Sequence, residues 1–149
     1  MLRHRASRSG FTIIELMITV ALVAMVAAFS FSAFQSFQVK NDLDIAVNTI
    51  VQSLWRAQTL AQASDGDISW GVKVQSGSIV LFGGASFSAR DAAYDENFDL
   101  PSTITPAGVT EVVYAKFTGV PQITGTTTLT TTTNESRTII LNSKGTLTY

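Results

Sequence analysis

Glu15 is the residue whose surroundings most demand a chemical reason. It is the single charge in the run from Phe11 to Phe34, FTIIELMITVALVAMVAAFSFSAF, which contains neither glycine nor proline. An ionised carboxylate in hydrocarbon costs on the order of 2.5 to 3.5 kcal/mol even on lenient insertion scales, so such acids are kept where they meet a cation. No lysine or arginine lies within helical reach on its C-terminal side. Cutting the chain between Gly10 and Phe11 would create a positive α-amine one helical turn before Glu15, placed to pair with it or with the Glu15 of a neighbouring chain. That amine, the chain's own or a neighbour's, is the natural partner of the Glu15 carboxylate.

Other chemistry is thinly supplied. There is no cysteine, which excludes a thiol nucleophile, a disulfide and a Cys-based metal site. The single histidine, His4, stands in the basic stretch before Phe11, so a cut at Gly10 leaves no imidazole for proton transfer. Without it and without a Ser-x-x-Lys pair, the many serines do not make a hydrolase. No enzyme and no cofactor is expected. Gly83-Gly84 lacks the sequence context of a phosphate cradle and reads as loop flexibility.

Asp95, Asn97 and Asp99 have the spacing that opens a calcium loop. Leu100, however, stands where the sharp turn needs glycine, and Pro106 where the bidentate glutamate belongs. A solvated acidic surface is the expectation there. Removing Arg3, Arg5 and Arg8 with the leader leaves seven basic residues against eleven acidic ones, a balance that does not attract phosphate backbones. The basic residues that remain, Arg137 and Lys144 among them, are scattered among acids and not interleaved with aromatics, so a nucleic-acid groove is not implied.

The elements that must position Glu15 follow from periodicity. As a helix rising ~1.5 Å per residue, Phe11 to Phe34 would be roughly 36 Å long, against a hydrocarbon core of ~30 Å. Arginines before it and Asp42 and Asp44 behind it predict a single pass with the N-terminus in the cytoplasm and the rest outside. Beyond Val39 the apolar residues thin to a stripe, Leu43, Val47, Ile50, Leu54, Ala57 and Ala61, whose spacing of three and four predicts an amphipathic helix. Ser64-Asp65-Gly66-Asp67 supplies the stop, so one helix is expected from about Thr12 to about Ser64.

After Gly66 the period changes to two. Trp70, Val72 and Val74 alternate with Gly71, Lys73 and Gln75, and Ser76-Gly77-Ser78 turns the chain into Ile79 to Phe82, a hairpin. A loop-like region from Gly83 to Pro106 is expected, anchored by Tyr94 and Phe98. Further strands are expected at Val109 to Phe117, Thr126 to Thr131, Arg137 to Leu141 and Thr146 to Tyr149. The fold class is α+β: a long N-terminal α-helix packed on a small, mostly antiparallel β-sheet domain. Its parts are a basic leader (1–10), a transmembrane and assembly half of the helix (11–38), an amphipathic half (39–65) and a β-rich globular domain (66–149).

Gly10-Phe11-Thr12-Ile13-Ile14-Glu15-Leu16 resembles the cleavage and methylation motif of type IV prepilins and type II secretion pseudopilins. The resemblance implies that prepilin peptidase cuts after Gly10 and methylates the amine of Phe11. It implies that Glu15 neutralises the amine of an adjacent subunit during assembly, and that the partners are the peptidase, sibling pilin or pseudopilin subunits, the membrane assembly platform and the lipid bilayer. The site of action would be the bacterial cytoplasmic membrane and then a pilus or pseudopilus. The Trp70-Gly71-Val72 strand, Leu100-Pro101 and the strand pair around Gly145 are similar to H-type pseudopilins and T-type minor fimbrial pilins. Through that likeness Asp95, Asn97 and Asp99 are kept as calcium candidates, and Arg137 and Lys144 as DNA candidates. The absence of proline from the apolar run leans towards a minor pilin or pseudopilin.

Two other readings compete. In one, an uncleaved helix tethers an extracellular β-domain that binds an unknown ligand. In the other, a secretory signal is cut after Val26-Ala27-Ala28, and the product begins at Phe29.

Overall fold

The computed structural model describes the backbone of residues 10–149 and their side chains except at 29–36. The expected basic leader therefore lies outside the described residues apart from Gly10. The chain divides into two compact units, Met1–Gln38 and Val39–Tyr149.

A single α-helix, α1, covers Ile13–Ala63. Its residues 13–28 are exposed all round. From Val39 onward one face is buried, and it carries the predicted stripe: Leu43, Val47, Ile50, Leu54, Ala57 and Ala61 all lie in the core. Burying a side chain of the leucine or isoleucine class contributes roughly 1.5–3 kcal/mol, so this face, not helix propensity, holds the second half of α1 in place. The helix stops where the backbone turns left-handed, at Ser64 (φ 54°) and again at Gly66 (φ 66°), within a short 3₁₀ turn at Asp65–Asp67. Only glycine takes that conformation without strain, which is the physical sense of the stop read from the sequence.

Eight strands follow: β1 (Trp70–Gln75), β2 (Ser78–Gly83), β3 (Asp91–Asp99), β4 (Ile104–Gly108), β5 (Glu111–Tyr114), β6 (Gly125–Thr131), β7 (Ser136–Leu141) and β8 (Leu147–Thr148). They form two antiparallel four-stranded sheets, ordered β3-β2-β1-β5 and β4-β6-β7-β8. Trp70, Val72, Val74, Ile79 and Leu81 of the first sheet and Ile104, Leu129, Ile139 and Leu141 of the second share one core with the buried face of α1. Val80, Phe82 and Val113 make a smaller cluster on the other face of the first sheet. It is capped by Phe87, whose ring meets Phe82 edge-on at 5.5 Å. The fold is α+β with antiparallel sheets.

Two expectations need correction. The region from Gly83 to Pro106 is not mainly loop: it holds β3 and β4. Both are edge strands, and an edge strand buries too little to show period-two apolarity. In β3 (DAAYDENFD) only Tyr94 and Phe98 are large apolar residues, while β4 contains Pro106, which is tolerated at an edge because its missing N–H need not face a partner. The strand expected at Val109 to Phe117 is shorter. Beyond Tyr114 the chain bends back, with the Ala115 amide donating to the Val120 carbonyl at 2.9 Å and Phe117 at φ 68°.

The membrane-crossing half expected over 11–38 includes residues 29–36, whose side chains lie outside the described residues. Among the described residues no helix is long and apolar enough to cross a membrane.

Candidate functional site

The bond between Gly10 and Phe11 lies just before α1, in exposed, non-helical backbone. Phe11 is 82% exposed, and among the described residues nothing approaches Gly10 closely enough to meet even an added Cβ. Exposed, unpaired backbone is the conformation a protease can draw into its site without unwinding a helix. The rival cut before Phe29 falls inside α1.

The helix begins through Thr12. Its Oγ1 accepts the Glu15 amide at 3.3 Å, and its carbonyl accepts the Leu16 amide at 3.1 Å. Thr12 is therefore the N-cap and Glu15 the third helical residue, the two defining positions of a Thr-x-x-Glu capping box. Reading Glu15 only as an intramembrane acid missed this role of Thr12, although the spacing was there to be read. A carboxylate in the first turn also faces the positive end of the helix dipole. Adding a free α-amine at Phe11 would place a second positive charge at that end, which Glu15 is positioned to offset.

Among the described residues no cation pairs with the Glu15 carboxylate. Side chains 13–28 are solvent-exposed in the isolated chain, and Ile13, Ile14, Leu16 and Met17 around Glu15 are each at least 60% exposed. This arrangement presents an unpaired acid and a band of bare apolar side chains on one short helical stretch, and it buries neither by itself.

The other candidate residues fall elsewhere. Asp95, Asn97 and Asp99 lie on β3, not in a loop. The Asp95 carboxylate is taken by Arg90, whose Nε donates at 2.8 Å. Among the described residues no group of three acidic, histidine or cysteine side chains is arranged to hold a metal. Arg137 on β7 donates through Nε to Asp44 of α1 at 3.0 Å. Lys144 stands in the turn before β8, where its backbone amide donates to Asn142 Oδ1 at 2.9 Å. Nothing brings Arg137 and Lys144 to a common groove. Gly83 and Gly84 are packing positions and not a flexible loop: a Cβ on Gly83 would meet Ile68 Cδ1 at 2.4 Å, and one on Gly84 would meet Arg90 Cα at 2.8 Å.

Residues 5–31 match the prokaryotic N-terminal methylation motif, and they span the Gly10–Phe11 bond, Thr12 and Glu15. The chain is type IV prepilin-like at its N-terminus. The motif is that of prepilin peptidase substrates, and it implies membrane anchoring followed by assembly with other pilin subunits. No curated protein and no solved structure matches the chain.

Proposed function

We propose that this prepilin-like chain is a minor pilin or pseudopilin, a structural subunit of a type IV pilus or a type II secretion pseudopilus. Prepilin peptidase cuts it between Gly10 and Phe11 and methylates the Phe11 amine. The apolar helix then holds the mature chain in the cytoplasmic membrane, N-terminus inside, with the pilin-like domain of helix and sheets outside. The parts are a leader (1–10), an anchoring and assembly half-helix (11–38), an amphipathic half-helix (39–65) and a β-rich domain (66–149). The membrane assembly platform extracts the subunit into the filament.

One observation carries this reading: the methylation motif contains the capped start of a helix whose first turn bears a Glu15 unpaired among the described residues, amid bare apolar residues. In a bundle of such helices the carboxylate of one subunit meets the amine of the next, and a matched pair tolerates burial where either charge alone is costly. The basic leader before the helix and Asp42 and Asp44 behind it support the orientation.

A photo-crosslinking residue placed at Val23, on the exposed apolar stretch, tests the reading in cells that carry the rest of the apparatus. Adducts to sibling subunits that vanish when the assembly ATPase is removed are expected. A chain that stays monomeric in both backgrounds would instead support the single tethered domain.

A further inference from the structure

Of the five asparagines, Asn134 alone is followed two residues on by a hydroxyl side chain with no proline between, in Asn134-Glu135-Ser136. The triplet lies in the turn of the β6–β7 hairpin and at the first residue of β7, and both Asn134 and Ser136 are exposed. Thr131, buried at the root of the turn, holds the backbone in place. Its carbonyl accepts the Asn134 amide at 3.0 Å, its amide donates to the Glu135 carbonyl at 2.8 Å, and its Oγ1 accepts the Glu135 amide at 3.1 Å. Asn134 takes the left-handed conformation (φ 61°), which asparagine tolerates better than most residues. The turn is thus fixed, whereas among the described residues neither the Asn134 side-chain amide nor the Ser136 hydroxyl has a hydrogen-bond partner.

The other asparagines are differently placed. Asn142 is also in a turn, but its Oδ1 accepts the Lys144 and Thr146 amides at 2.9 and 3.0 Å, and Lys144 stands where the hydroxyl is needed. Asn41 and Asn48 lie within α1 and Asn97 within β3, where the backbone is already paired. Glu135, between the two free side chains, is engaged by Lys40 of α1 at 3.4 Å, which leaves Asn134 and Ser136 open on either side of it. Asn-x-Ser/Thr on an exposed turn is the acceptor arrangement for N-linked sugar: the asparagine amide takes the sugar and the hydroxyl two residues on completes the motif that is recognised.

From this we infer that Asn134 is a glycosylation site, modified on its side-chain nitrogen by a sugar donated from a glycosyl phosphate. In the transfer the Nδ2–C1 bond forms as the bond from C1 to the phosphate oxygen breaks. The phosphate leaves with the electron pair, and the amide gives up one proton. The donor is one chemical class, a sugar activated through its anomeric phosphate, whether a membrane lipid or a nucleotide carries it. The attached sugar hydrates the end of the hairpin, where Thr132 and Thr133 are exposed as well. The site lies wholly within the unit Val39–Tyr149, so the inference stands independently of how the N-terminus is processed.

The test is peptide mass mapping of the full chain purified from its native cells. Trypsin, cutting after Lys116 and Arg137, should release the peptide 117–137 with an added sugar mass that fragmentation places on Asn134. Asn134→Asp, which keeps a residue that tolerates the left-handed turn, and Ser136→Ala should each abolish the addition, whereas Ser136→Thr should retain it. All three variants should melt within a degree or so of the parent, since exposed positions contribute little, so a lost sugar is not a lost fold. Unmodified full chain from a foreign host, incubated with native membranes or with native cytosol and nucleotide sugars, separates the two carriers: transfer by the membranes assigns the lipid, transfer by the cytosol the nucleotide. A 117–137 peptide without added mass, or an added mass that survives Ser136→Ala, would overturn the proposal.

Discussion

Thr12 Oγ1 accepts the backbone amide of Glu15 at 3.3 Å, so the residue that starts the helix also fixes the turn that carries the acid. The bond proposed for cleavage, the cap and the acid thus fall within six consecutive residues. Replacing Thr12 with alanine removes the cap and should cost about 1 kcal/mol of local helix stability, whereas serine should restore it. Amide exchange at residues 13–16 is the measurement: faster in Thr12→Ala, and close to the parent in Thr12→Ser.

Glu15→Gln keeps the size of the side chain and removes its charge. The unit Val39–Tyr149 does not involve Glu15, so its melting temperature should stay within a degree or so of the parent, because exposed positions away from packing contribute little. Incorporation into filaments should fall at least ~10-fold, since the neighbouring amine is then buried without its counter-ion. Sheared filament fractions and whole-cell membranes, blotted side by side, separate the two effects.

Leu54 is 4% exposed and belongs to the apolar stripe of α1 that meets both sheets. Leu54→Ala should destabilise the unit Val39–Tyr149 by about 2–5 kcal/mol through lost burial and the cavity left behind. Chemical denaturation followed by tryptophan fluorescence reports it, because Trp70 sits in the same core.

Asp44 and Arg137 tie α1 to β7, and Lys40 and Glu135, at 3.4 Å, tie it to the turn before that strand. Both pairs are about one-third to one-half exposed, so each is worth only about 0.2–1 kcal/mol. Arg137→Ala should therefore lower stability by less than 1 kcal/mol at low salt, and the difference should shrink in 1 M salt, where the Debye length is ~3 Å. A double-mutant cycle with Asp44→Ala checks the assignment.

Tyr114 is fully buried, and its hydroxyl has no hydrogen-bond partner among the described residues. Burial pushes its phenol well above the usual tyrosine range by penalising the phenolate. A group whose folded pKa is raised keeps its proton in the native state. Its contribution is complete below the unfolded value near 10 and is lost as the pH climbs above that. Tyr114→Phe should be neutral or slightly stabilising at pH 7, since the hydroxyl makes no bond, and should flatten the loss of stability above pH 10. Denaturation midpoints between pH 7 and 11 are the check.

How much of this was legible in the sequence depended on burial. The stripe from Leu43 to Ala61 and the alternation from Trp70 to Val74 were readable because each element buries one face against a shared core, and the buried face imposes its period on the residues. The β3 and β4 strands were not readable: edge strands need few apolar residues, and Pro106 argued against a strand that its edge position in fact permits. At the N-terminus, Glu15 was visible as a lone charge among apolar residues. The Thr12 cap was equally visible in the Thr-x-x-Glu spacing. That β3 ends its sheet could not be read at all, because it is a property of tertiary pairing and not of local pattern.

The central claim concerns one peptide bond, and intact-mass and N-terminal analysis of the protein purified from its native cells tests it most directly. The account predicts a chain that begins at Phe11, without residues 1–10 and with one added methyl group on the terminal amine. A chain that still carries its basic leader, or one that begins at Phe29 inside the helix, would contradict it.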